Sequence, residues 1–165
     1  MTATPHLAVA VATGLWCSNL AGGLVAYKSP SLCLAVQAGT ALIAGTVSHF
    51  VLDAIPHNDD IYNTFLGTGP VLTVELAIIT SIIFSICYFK ELPFLIVFLS
   101  FVGGAWPDFF SMYGEGLVGK NQLMTMVNDF HGFCHHPYKP ALIPSMIFQE
   151  LMAIVALGYV LYFRA

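Results

Sequence analysis

Charge is what this sequence has least of. Of its 165 residues, 8% are charged and 58% are hydrophobic, and the mean hydropathy is +0.81. Soluble domains have about a quarter of their residues charged, so the composition excludes a water-soluble domain and predicts an integral membrane protein. The net charge of −4 comes without any basic cluster, which excludes nucleic acid as a partner.

Several common motifs are also missing. The cysteines have no framework spacing, and three of the four lie in apolar runs, as is typical of inert small hydrophobes. The chain has neither a Gly-x-Ser-x-Gly element nor a nucleotide-binding loop. Its N-terminal region lacks a basic segment before the apolar run, so we expect a retained transmembrane helix rather than a cleaved signal peptide.

Long apolar runs are what the chain does contain. Five of them approach the roughly 20 residues that a bilayer requires, at 6–27, 32–55, 70–89, 94–106 and 143–162. The fourth is short, and it either stops at Pro107 or continues through 108–113. The long connection that follows contains an amphipathic candidate at 123–130, expected on the membrane surface or capping the bundle. The predicted fold is an all-α polytopic transmembrane bundle of about five helices, with a partly helical long loop and a single domain over 1–165.

Small residues recur in the first two runs at a spacing that lets helix backbones pack closely in a membrane. They are Gly14, Ser18 and Gly22, then Ala35 and Gly39, then Ala41 and Gly45.

The ionisable residues are distributed unevenly between the two ends of the predicted bundle. All six histidines map to one end. The opposite end carries Lys28, Lys90 and Arg164 in short segments, so the positive-inside rule predicts that this opposite end is cytoplasmic. We therefore expect an inner (plasma) membrane protein with its histidines on the extracytoplasmic face. Glu75 and Glu150 lie deeper, and carboxylates inside a membrane are usually functional or paired toward the interior.

The stretch "SHFVLDAIPH" concentrates polar chemistry at this histidine-rich end. His49 and Asp53 are four residues apart, so they lie on one face of a helix, and His57 continues the spacing beyond Pro56. Imidazole nitrogens and carboxylate oxygens are ligands for zinc and similar divalent ions. His131 and His135 repeat the spacing in the long connection. The sequence therefore predicts a site for a divalent ion, zinc or manganese.

Three segments in this order, "SHFVLDAIPH", "GAWPD" and "FHGFCHH", resemble the bacterial and archaeal family of membrane-bound metal-dependent hydrolases. That family shows an N-terminal His, a Pro-Asp near a helix end and a His-rich segment, to which His6, Asp108 and His135 would correspond. Cys134 and His136 depart from the family pattern of Thr and Ser, and His131 replaces an Arg. "GTVSHFVLDAIPH" is also similar to a segment of zinc-dependent phospholipases C. The resemblance implies a metal site and hydrolytic chemistry.

The expected function is metal-dependent hydrolysis of an ester or phosphoester in a lipid or amphiphilic substrate at the membrane surface. Two alternatives stay open, a proton or metal-ion transporter and a structural metal-binding membrane protein. Asp59 and His131 are the predicted catalytic acid–base groups. The predicted metal ligands are His6, His49, Asp53, His57, Asp108 and His135.

Overall fold

The computed structural model describes residues 2–27, 29–58, 60 and 68–163, and these form six α-helices. In chain order the helices are α1 (Ala3–Val25), α2 (Pro30–Asp53), α3 (Thr68–Phe89), α4 (Phe94–Val118), α5 (Gln122–Cys134) and α6 (Leu142–Tyr162). All of these except α5 are long and apolar enough to cross a membrane. The predicted fold class, an all-helical membrane bundle with a partly helical loop, is confirmed.

Helix α4 follows the longer of the two courses that the sequence left open. It continues through Pro107 and ends at Val118, five residues beyond the predicted continuation. Proline removes one helical hydrogen bond and usually breaks or kinks a helix. Pro107 is buried, and the preceding Gly103 and Gly104 lie against α2 and α1, so tertiary packing outweighs the local preference. As a consequence Asp108 lies within α4 instead of in a loop.

Glycines allow α2 and α4 to cross at backbone contact. A Cβ atom on Gly45 would lie 2.4 Å from the Ser100 carbonyl oxygen, and one on Gly103 would lie 2.4 Å from the Leu42 carbonyl oxygen. The expected role of Gly45 in close packing is therefore supported. Gly39 has open space around its Cα, so the same expectation is wrong there.

Helix α5 includes the amphipathic candidate at 123–130 and packs against α4 and α2. Met124 and His131 are its buried residues. Three members of its apolar stripe, Leu123, Met126 and Phe130, are more than half exposed. Seven residues separate Met124 from His131, which places both on one face of a helix. The stripe is turned outward, as in a helix that contacts lipid at a membrane interface.

Candidate metal centre

The end of α2 supplies the first two groups of the site. The His49 Nε2 atom lies 3.1 Å from the Asp53 Oδ2 atom, one helical turn away, and both side chains are buried. Helix α2 ends at Asp53, and the Asp53 carbonyl accepts a hydrogen bond of 3.0 Å from the His136 backbone N–H. This bond joins the end of α2 to the segment that follows α5, which brings His135 to Asp53.

Four imidazoles surround the Asp53 carboxylate. His6 Nε2 is 3.2 Å from Asp53 Oδ1, while Oδ2 has His131 Nε2 at 3.2 Å and His135 Nε2 at 3.5 Å in addition to His49. Among the residues that the structure describes, neither oxygen has a partner in hydrogen-bonding geometry, although the Asp53 side chain is 1% exposed. A buried carboxylate without hydrogen bonds is costly unless it is paired or coordinates a metal. The surroundings of Asp53 therefore fit a metal ligand.

Two histidines are held in the tautomer that a metal ligand needs. His49 Nδ1–H donates to the Gly104 carbonyl at 2.8 Å, and His57 Nδ1–H donates to the Ile55 carbonyl at 2.7 Å. This tautomer places the lone pair on Nε2, the nitrogen that could bind an ion. Such a bond from the other ring nitrogen is the usual orienting contact of metal-binding histidines.

Helix α4 contributes a second carboxylate, that of Asp108, to the histidines that contact Asp53. Its Oδ1 atom is 3.2 Å from His131 Nε2 and 3.6 Å from His49 Nε2. The Asp108 side chain is 42% exposed, whereas Asp53 is enclosed. The cluster, which we define as His6, His49, Asp53, His57, Asp108, His131 and His135, is thus open at Asp108.

Neighbouring donor atoms in the cluster are spaced as metal ligands are. Bonds of 2.0–2.2 Å place tetrahedral zinc ligands about 3.3–3.6 Å apart. His49 Nε2, His131 Nε2 and Asp53 Oδ2 form a triangle with sides of 3.1, 3.2 and 3.4 Å.

The donors divide into more than one group. Four sets of three residues have ligand atoms within 4.8 Å of one another, and Asp53 and Asp108 never share a set. Two of these sets have no residue in common, and each contains two histidines and one aspartate. They are His6, His49 and Asp108, and Asp53, His57 and His135. His131 lies between them, with its Nε2 atom 3.2 Å from one oxygen of each carboxylate.

His131 and His135, both outside the spanning helices, have opposite electrostatic environments. Contacts with Asp108 and then Asp53 raise the pKa of His131 to about 9. Burial lowers the pKa of His135, although Asp53 opposes this. Without an ion, His131 therefore favours the protonated form between two carboxylates, while His135 favours the neutral form.

A second polar network fixes the start of α1 and hence His6. The Thr4 backbone N–H donates to Glu75 at 2.6 Å, and the Thr2 backbone N–H donates to Gln149 at 2.7 Å. Gln149 is fully buried and also donates to the Asn58 carbonyl at 3.1 Å. These bonds connect α1, α3, α6 and the segment before residue 59.

Sequence reasoning missed Gln149 and chose its neighbour Glu150. One residue is a rotation of about 100° on a helix, and Glu150 is exposed on the outer face of α6 rather than turned inward. Of the two roles that the sequence left open for Glu150, its exposure does not fit pairing toward the interior of the bundle. The neutral amide of Gln149 within an apolar run was the available signal for a buried polar residue. It is a weaker signal than the carboxylate of Glu150, because a charge costs more to place in a membrane.

The structure brings together seven of the eight residues predicted for the site, and they are the seven that define the cluster. The eighth, Asp59, lies outside the described residues. His57 belongs to the cluster even though α2 ends at Asp53 and a turn follows at 54–55. The sixth histidine, His136, has an exposed ring that accepts a hydrogen bond from the Tyr138 N–H.

Comparison of the chain with models of protein families, with curated proteins and with solved structures gave no match.

Proposed function

We propose that this protein is a metal-dependent hydrolase that cleaves an ester or phosphoester of a lipid or other amphiphile at the membrane surface. The observation that carries the proposal is the buried Asp53 carboxylate, with imidazole nitrogens of four histidines within 3.1–3.5 Å. The resemblance of three segments to membrane-bound metal-dependent hydrolases supports the same reading. Zinc or manganese fits the nitrogen and oxygen donors.

The division of the donors favours two ions. Two ligands on opposite sides of one zinc are only about 4.2 Å apart, and the two aspartates belong to separate donor sets. Each of the two disjoint sets offers three protein ligands, the number typical of catalytic zinc sites that keep a position for water or substrate. A bound divalent ion would polarise the ester or phosphoryl oxygen and activate water.

His131 is the residue best placed to move a proton. It is the cluster member outside both disjoint sets, and its Nε2 atom faces the carboxylates of Asp53 and Asp108 at 3.2 Å each. A positioned imidazole can accept a proton from water and return it to the leaving group. Asp108 and His135, with side chains 42% and 34% exposed, form the side of the cluster that a substrate reaches.

The two alternatives have less support. A structural metal site is usually closed by protein, whereas this cluster is open at Asp108. A transporter would need Glu75 and Glu150 along a path through the bundle. Instead, Glu75 holds the start of α1 through Thr4, and Glu150 lies on the outer face.

The test is metal content and hydrolysis measured on the same purified protein. Wild-type protein should retain zinc or manganese and hydrolyse a chromogenic ester or phosphodiester, and a chelator should abolish the activity. His49→Ala should lose metal and activity. His136→Ala is the matched control, because its ring is exposed and the backbone bond to Asp53 survives the change. Measured ion flux in liposomes without retained metal would instead favour the transporter.

A further inference from the structure

A groove with a volume of about 120 Å³ begins at the cluster and lies between α1, α3 and α4. Two members of the cluster, His6 and Asp108, are among its lining residues. Most of the remaining wall is apolar, and it includes Leu7, Leu72, Leu76, Ala105, Phe109 and Met112. The groove thus shares two residues with the proposed metal centre and is otherwise lined mostly by apolar side chains.

The groove opens toward the surroundings of the bundle. Phe109 and Met112 on its α4 wall are 48% and 51% exposed, and α3 and α4 are both long and apolar enough to span a membrane. An apolar cavity of about 150 Å³ in a soluble protein stays dry and binds benzene. A groove of this size beside a bilayer therefore has room for a short stretch of alkyl chain, which would restore the packing contacts that an empty space loses.

A ligand that matches both parts of this groove is an amphiphile with one polar end. A free water-soluble ester would leave the apolar wall uncovered, and a plain hydrocarbon would offer no polar group to the proposed metal centre beside Asp108. A membrane lipid has both parts, with the ester or phosphoester at the junction between them.

We propose that the groove holds the part of a membrane-lipid acyl chain next to its head group, and that this places the head-group linkage at the cluster. The chemistry at the linkage rests on the proposed hydrolase function, but the binding of the chain does not. A chain that leaves the bilayer gains little from the hydrophobic effect, because lipid is already apolar. The groove therefore contributes position, and correct placement of a reacting group accounts for much of enzymatic catalysis.

The binding test uses a phosphatidylcholine that carries a diazirine in one acyl chain near the ester, diluted into phosphatidylcholine vesicles containing the protein. Illumination should label Met112 and Leu76 in the groove more strongly than Ile78, which is 56% exposed on the outside of α3. Leu72→Trp should fill the groove and abolish the labelling of Met112. Val74→Trp, on the exposed face of the same helix, is the matched control and should leave the labelling unchanged.

Metal content and hydrolysis separate the possible outcomes. Both tryptophan variants should keep the metal content of the wild type, which shows that the cluster is intact. If Met112 is labelled no more than Ile78, or if Leu72→Trp with intact metal leaves its labelling unchanged, the groove does not bind the chain. Specific labelling without hydrolysis of any ester would support the groove and contradict the hydrolase function. Hydrolysis of a lipid without groove labelling would contradict the groove alone.

Discussion

Replacing Asp53 by asparagine is the sharpest test of the metal centre. The amide has nearly the same shape but no charge, and it replaces a carboxylate that faces the Nε2 atoms of His6, His49, His131 and His135. Loss of even an orienting residue beyond the ligands weakens metal binding about 10–100-fold. Since Asp53 would itself be a ligand, we expect the dissociation constant for zinc to rise by about 100-fold or more.

This loss of affinity can be read as a loss of metal-dependent stability. At a zinc concentration about 100 times its dissociation constant, the ion stabilises the wild type by about 2.7 kcal/mol. At the same concentration a variant with 100-fold weaker binding gains only about 0.4 kcal/mol. For a chain of this size these energies correspond to rises in the melting temperature of about 5–11 °C and about 1–2 °C.

The assay is thermal unfolding in detergent with and without zinc, together with metal analysis of the purified protein. Asp60→Asn is the matched control, because it makes the same substitution at a half-exposed aspartate that lies beside Lys139. It should behave as the wild type. An Asp53→Asn protein that keeps the wild-type metal content and the full zinc-dependent shift would refute the role of Asp53 as a ligand.

Four further results are expected. His131→Gln should keep the bound metal and lose hydrolysis, because the change removes the proton carrier but leaves both three-residue donor sets intact. Loss of the metal would instead show that His131 is a ligand. Gly103→Ala should lower the free energy of unfolding, measured by thermal denaturation, by roughly 1–3 kcal/mol, the usual cost of overpacking. The reason is that the new Cβ atom would lie 2.4 Å from an α2 carbonyl oxygen. Gly39→Ala is the control, and equal melting temperatures for the two variants would argue against the close crossing of α2 and α4. Metal affinity should fall as the pH is lowered from about 8 to about 6, because histidine ligands must be neutral; constant affinity over this range would exclude histidine ligation. In a cysteine-free background, cysteines at Lys90 and Lys120 should be labelled from opposite sides of the membrane, and labelling from one side would contradict the order of spans.

Much of the architecture could be predicted from local sequence alone. The five spans follow from the length and apolarity of single runs, and the pairing of His49 with Asp53 follows from one helical turn. The shared end of the histidines follows from counting spans. These features need only the hydrophobic effect and helix periodicity, which act over one segment at a time.

Only tertiary contacts decided the rest. Pro107 could end or continue α4, and packing against α1 and α2 favoured continuation. The inward residue of α6 is Gln149 rather than Glu150, because the neighbours of α6 determine which of its faces is buried. The convergence of His6, His131 and Asp108 on the end of α2 joins residues far apart in the chain. Sequence determined which ligand chemistry the chain carries, whereas the packing of helices determined which ligand atoms meet, since angstrom distances between segments are set by side-chain packing across the whole bundle.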